Sequence, residues 1–138
     1  MAIIYGTNRN DDLFGDVFGY AEDDLIYGFG GNDLIDGGYW NDDLYGGSGN
    51  DALYGYYGDD ILAGEAGNDA LYGEAGWDDL YGGAGNDSLR GGSGDDLLSG
   101  GAGKDNLWGG PGSDLFFFSA GTWPRKQPHM QSMNSNRF

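Results

Sequence analysis

Gly46-Gly47-Ser48-Gly49-Asn50-Asp51-Ala52-Leu53-Tyr54 decides the fold, because its glycines, its one aspartate and its one large aliphatic residue return every nine residues on either side. Working outward, 11 consecutive nonapeptides run from Gly19 to Phe117 without an insertion, and each begins with glycine. Position 6 is aspartate in all of them: Asp24, Asp33, Asp42, Asp51, Asp60, Asp69, Asp78, Asp87, Asp96, Asp105 and Asp114. Position 8 is always large and apolar, running from Ile26, Ile35 and Leu44 through to Leu107 and Phe116. A further unit, Gly6 to Phe14, carries Asp11 and Leu13 in the same places, but four extra residues, Gly15 to Phe18, throw it out of frame. A disordered linker has no reason to keep three positions in phase for so long.

The phase has a physical meaning. Glycine tolerates positive φ and close backbone approach, so G-G-x-G forms a loop. The three residues after the aspartate alternate outward, inward and outward when extended, which turns position 8 inside. Two units then make one coil of 18 residues, with a loop at each edge and a strand on each face. The expected fold is all-β: a parallel β-roll, or right-handed β-solenoid, with 18 residues per turn and two parallel sheets around a ladder of Leu and Ile. Residues 1–5 read as an N-terminal lead-in strand, 6–118 as the roll, and 119–138 as a C-terminal cap or disordered tail.

Composition narrows the function. Of 138 residues, 30 are glycine, 23 are acidic and 6 are basic, for a net charge of −17. The acids are 20 Asp and only three Glu (Glu22, Glu65, Glu74), and short Asp side chains suit tight loops and oxygen cages. No basic patch in the body of the chain invites nucleic acid. No apolar run is long enough to span a membrane, and Met1 to Gly6 lacks the features of a secretory signal peptide. Cysteine is absent, which removes disulfides and thiolate metal sites.

No catalytic activity is expected. The only histidine, His129, stands in the tail, so H-E-x-x-H is missing. Ser48 and Ser93 are not framed by G-x-S-x-G, and Gly103-Lys104-Asp105 lacks the hydroxyl residue of a P-loop. A monomer is expected.

A unit of nine residues that buries one aliphatic side chain recovers too little to offset the entropy of ordering nine backbones, glycine above all. Stacking also brings the position-6 carboxylates together. A hard cation resolves both problems, since Ca2+ accepts six to eight oxygens from carboxylates and backbone carbonyls. The expected ligands are the position-6 aspartates and the loop carbonyls of Gly31, Gly49, Gly58, Gly67, Gly76, Gly85, Gly94, Gly103 and Gly112, with Asp11 weaker. Loops opening at Gly19, Gly37, Gly55, Gly73, Gly91 and Gly109 share one edge and leave five gaps; those at Gly28, Gly46, Gly64, Gly82 and Gly100 share the other and leave four. Up to about nine ions are expected, and nine would bring a charge close to that needed to neutralise −17.

These nonapeptides resemble the repeats-in-toxin (RTX) family of calcium-binding β-rolls, over Gly6 to Phe118. The resemblance implies calcium held by the position-6 aspartates and loop carbonyls, folding on meeting calcium, weak cooperative binding, and an extracellular location reached through a dedicated exporter.

Departures from the pattern carry information. Position 4 is glycine throughout the frame except Glu22 and Trp40, and it is Arg9 in the displaced unit. If position 4 needs positive φ, Glu22 and Trp40 are strained, and the two gaps touching Trp40 are expected to be weakest, with anything bound near Asp11. Position 2 also varies (Tyr20, Phe29, Tyr56, Glu65, Glu74), which matters less if its carbonyl is all that counts. Position 9 is rich in aromatics, among them Tyr27, Tyr45, Tyr54, Tyr72, Tyr81, Trp108 and Phe117. Packing between neighbouring rungs explains them. The alternative is a structural or adhesive element whose Tyr-rich sheet face binds a glycan or protein, with calcium as scaffold.

Overall fold

The computed structural model describes residues 1–15 and 22–118. Gly19, Tyr20, most of the four-residue insertion and the tail with Arg125, Lys126, His129 and Arg137 lie outside the described residues.

The described residues form thirteen strands and no helix. In chain order they are β1 (Ile3–Tyr5), β2 (Asp12–Phe14), β3 (Leu25–Gly30), β4 (Leu34–Tyr39), β5 (Asp43–Ser48), β6 (Ala52–Tyr57), β7 (Ile61–Ala66), β8 (Ala70–Ala75), β9 (Asp79–Ala84), β10 (Ser88–Ser93), β11 (Leu97–Ala102), β12 (Asn106–Trp108) and β13 (Leu115–Phe117). Odd strands make one parallel sheet in the order β1-β3-β5-β7-β9-β11-β13, and even strands the other, from β2 to β12. Register advances by one coil per rung: Leu44 lies beside Leu62, and Leu62 beside Leu80. This is the expected β-solenoid of two parallel sheets.

The strands are longer than the three residues that alternation alone suggests. Each full strand covers six residues, running from position 7 through position 3 of the next unit. Burial explains the extension. Position 8 and the following position 1 both face inward, so the glycine continues the strand and only positions 4 to 6 turn the corner. The core is the expected ladder: Ile26, Ile35, Leu44, Leu53, Leu62, Leu71, Leu80, Leu89 and Leu98 are fully buried, with Leu107 nearly so. Ile4, Leu13 and Phe116 pack against its ends.

The displaced first unit still stacks. Ile3 pairs with Leu25 and Asp12 with Leu34, an offset of 22 residues where later rungs have 18. The four additional residues are therefore taken up between β2 and β3, and the first coil keeps the register of the rest.

Candidate metal sites

The position-6 aspartates do not sit on the rim of the roll. Their side chains turn inward at each corner, and from Asp24 to Asp96 they are at most 5% exposed. Glycine at position 1 makes this possible. A Cβ on Gly46 would lie 2.5 Å from Oδ2 of Asp51, and one on Gly82 would lie 2.5 Å from Oδ2 of Asp87. The first glycine of the motif is thus the space into which its own aspartate folds.

One carboxylate oxygen is committed to the backbone. From Asp33 to Asp114, Oδ1 accepts the N–H of the aspartate one coil earlier, while Oδ1 of Asp24 accepts that of Ala2. Asp42 donates to Asp60 at 2.8 Å, Asp60 to Asp78 at 2.9 Å and Asp78 to Asp96 at 3.0 Å. The other edge repeats this with Asp33 to Asp51, Asp51 to Asp69 and Asp69 to Asp87. Even Asp11 joins, donating to Asp33 at 2.8 Å. The stacked carboxylates are therefore partly compensated by amide dipoles, more than the repulsion argument from sequence allowed.

The second oxygen is a different matter. Oδ2 of Asp33, Asp51, Asp60, Asp69, Asp78, Asp87, Asp96 and Asp114 is buried without a hydrogen-bond partner. Burying an unpaired carboxylate oxygen is expensive, so such a group either takes a proton or meets a cation. The titration behaviour agrees. Burial pushes Asp78 up to about 7, and Asp60, Asp69 and Asp96 up to about 6, although the accepted amide N–H pulls each back. Asp33, Asp51, Asp87 and Asp114 are raised for the same first reason.

Asp11 departs from this pattern. Its Oδ2 accepts bonds from the Thr7 N–H at 2.6 Å and the Thr7 hydroxyl at 2.8 Å. Oδ2 of Asp11 is therefore already held by Thr7.

Loop carbonyl oxygens line the same corners. At position 4 they point along the stack toward the next loop of the same edge: a Cβ on Gly49 would fall 1.6 Å from the Gly31 oxygen, and one on Gly67 would fall 1.5 Å from the Gly49 oxygen. Position 4 is left-handed along the roll, with φ of 113° at Gly31 and 144° at Gly103. Trp40 adopts the same conformation at φ 82°, as its position in the repeat implied, and its carbonyl oxygen takes the glycine's place 1.8 Å from where a Gly58 Cβ would stand. Among the described residues no three acidic or histidine side chains converge. A cation between these loops would have to be held largely by carbonyls with few carboxylates, which suits calcium and not zinc.

Two features exceeded the sequence reading. Position 2 is left-handed as well, so Phe29, Tyr56, Glu65 and Glu74 carry side chains at φ of 72° to 77°. The variation there is not free of consequence, because more than the carbonyl matters. A second polar ladder runs along position 5, in the opposite sense to the first. Oδ1 of Asn32 accepts the N–H of Asn50, Asn50 that of Asn68, and Asn68 that of Asn86, all at 2.8 Å. Sorting the asparagines by edge would have revealed it, since Asn32, Asn50, Asn68 and Asn86 are spaced by one coil each.

The position-9 aromatics do not form one face. Tyr27, Tyr45 and Tyr81 lie on the seven-stranded sheet, and Tyr54, Tyr72 and Trp108 on the six-stranded one. Their rings stack on each other: Tyr27 and Tyr45 have centroids 5.0 Å apart at 15°, and Tyr54 and Tyr72 4.7 Å apart at 7°. Rings stacked along the ladder turn their faces to one another, which is the rung-to-rung packing expected of them.

The RTX calcium-binding nonapeptide repeat matches the chain four times, over residues 5–38, 41–71, 54–89 and 90–122. The chain belongs to this family. No curated protein and no solved structure matches it. For an RTX roll, the buried aspartate rows and the carbonyl-lined corners are the features that suit calcium. Eight of the nine expected gaps lie between described loops; the ninth involves the loop that opens at Gly19.

Proposed function

We propose that this chain is a calcium-ion binding module that folds when Ca2+ enters the gaps between stacked loops, and that it works outside the cell, where calcium is abundant. The single observation that carries the reading is the row of buried Oδ2 atoms without partners at Asp33, Asp51, Asp60, Asp69, Asp78, Asp87 and Asp96. Bound calcium supplies positive charge and oxygen affinity at those corners. The chain's own part is to present carboxylates at position 6 and carbonyls at position 4, from Gly31 to Gly112, and to turn position 8 inward so that the aliphatic ladder closes once the corners are neutral. Up to about nine ions fit the number of gaps. No role as an enzyme is proposed.

Circular dichroism during calcium titration tests this. In chelator at neutral pH the full chain should lack β-structure, and it should gain it cooperatively at calcium concentrations of roughly 0.1–1 mM. Magnesium should substitute poorly, because it demands tight octahedral coordination and keeps its waters. A β-roll spectrum that is unchanged in chelator at neutral pH overturns the proposal.

A further inference from the structure

Loops on one edge of the roll carry an aromatic cluster that calcium binding does not explain. Tyr39, Trp40, Tyr56, Tyr57 and Trp77 occupy positions 2 to 5 of the three successive units that open at Gly37, Gly55 and Gly73. They are 60%, 53%, 39%, 56% and 68% exposed. The three loops are direct neighbours: Asn41 accepts the N–H of Asp59, and Asp59 that of Trp77, each at 2.9 Å. Tyr39 and Tyr57 stack at 5.1 Å; Trp40 shares the loop of Tyr39, and Trp77 belongs to the loop after that of Tyr57. On the opposite edge, position 3 is Gly30, Ser48, Ala66, Ala84 and Ala102, and Phe29 is the one aromatic residue at positions 2 to 5 of the units from Gly28 to Gly100.

The cluster is held at a conformational cost. Trp40 sits at φ 82° where most units place glycine, and Tyr56 sits at φ 72°, a left-handed position it shares with Phe29, Glu65 and Glu74. Left-handed geometry disfavours bulky side chains, and water disfavours exposed aromatic rings. Neither residue closes the core, which is complete without them. Two strained residues that also expose aromatic surface, side by side on one edge, indicate a surface kept for contact.

Charge identifies the partner. The sequence from Asn10 to Leu89 contains no lysine or arginine, so none of these three loops carries a basic residue. Glu74 and Asp59 are exposed beside the rings: Glu74 pairs in register with Tyr56, and Asp59 lies between Asn41 and Trp77. Indole and phenol faces rimmed by carboxylates attract guanidinium groups through cation–π contact and ion pairing together. We propose that this aromatic edge docks a basic, arginine-containing segment of another polypeptide.

Isothermal titration of the calcium-loaded full chain with a peptide alternating arginine and leucine tests it, with the citrulline version of the peptide as a neutral control. Binding should persist at about 150 mM salt, where exposed long-range attraction is screened. The combined variant Tyr39→Ala, Trp40→Gly, Tyr57→Ala and Trp77→Asn leaves every charge in place and should weaken binding by about tenfold or more. A control variant on the seven-stranded face, Tyr45→Ser with Tyr81→Ser, should bind as the parent does. Calcium-induced dichroism verifies that each variant folds, and an edge variant that fails to fold is replaced by Trp77→Asn alone, which should still weaken binding by a few fold. The proposal is overturned if the parent does not bind, if the citrulline peptide binds equally well, or if the edge variant binds as tightly as the parent.

Discussion

Asp78 shows how much one residue does in this fold. It is 1% exposed, accepts the Asp60 N–H through Oδ1 at 2.9 Å, and leaves Oδ2 without a partner. Asp78→Ala removes the acceptor and leaves the Asp60 N–H unpaired at a buried corner, which should cost about 1–3 kcal/mol in urea unfolding of the calcium-loaded chain. Asp78→Asn keeps an oxygen acceptor but removes the charge. It should fold in calcium with its titration midpoint moved to higher calcium, and that contrast between the two variants separates the structural bond from metal binding. Glu65 illustrates the opposite case. It sits at φ 75° with its side chain exposed, so left-handed strain of about 1–2 kcal/mol is relieved by Glu65→Gly, against about 0.5–1 kcal/mol of added chain entropy in the unfolded state. The net expectation is a small rise in the melting temperature of the calcium-loaded roll. A fall would mean that the Glu65 side chain makes a stabilising contact.

At the scale of the element, the corners from Gly28 to Gly100 on one edge are tied to their neighbours by two side-chain ladders of opposite sense. Through Asp at position 6, a coil donates its N–H to the next coil; through Asn at position 5, it accepts one back. Together they clamp a turn whose glycines supply no side-chain contacts. Asn68→Ala deletes the acceptor for the Asn86 N–H at an exposed loop, so the loss should fall at the low end of about 0.5–1.5 kcal/mol by urea unfolding in calcium. Hydrogen exchange should localise the effect to the loops of the Gly64 and Gly82 units, since contacts in a solenoid pass mainly between neighbours. The glycine at position 1 belongs to the same device, since it leaves room for the inward aspartate while the strand runs on past it.

For the whole molecule, the buried carboxylates link folding to acidity. Asp78 at about 7 and Asp60, Asp69 and Asp96 at about 6 all stand above the ordinary 3.8. A folded-state value above the unfolded one means that folding takes up protons. Stability of the metal-free roll is then fully present below about pH 4 and is lost as pH rises through about 6 to 7. In chelator, β-structure measured by circular dichroism should increase on acidification through that window. The calcium midpoint should move upward over the same range, because protons and calcium compete for one set of oxygens. A metal-free chain whose dichroism does not respond between pH 7 and about pH 4 would contradict the burial of these groups.

The periodicity of Gly, Asp and Leu was enough to establish the solenoid, the two sheets, the position-8 ladder and the left-handed strain at Trp40, because each follows from local backbone geometry repeated in phase. Tertiary structure decided what repetition alone leaves open. Whether Asp51 faces solvent or folds over Gly46 depends on the room that a missing Cβ provides, and a one-dimensional pattern does not measure room. The same holds for the stacking of Asp11 beneath Asp33 across four additional residues and of the Tyr39 ring on that of Tyr57. Nine-residue spacing sets the rhythm of the chain, while an 18-residue coil sets its neighbours, and contacts are made between neighbours.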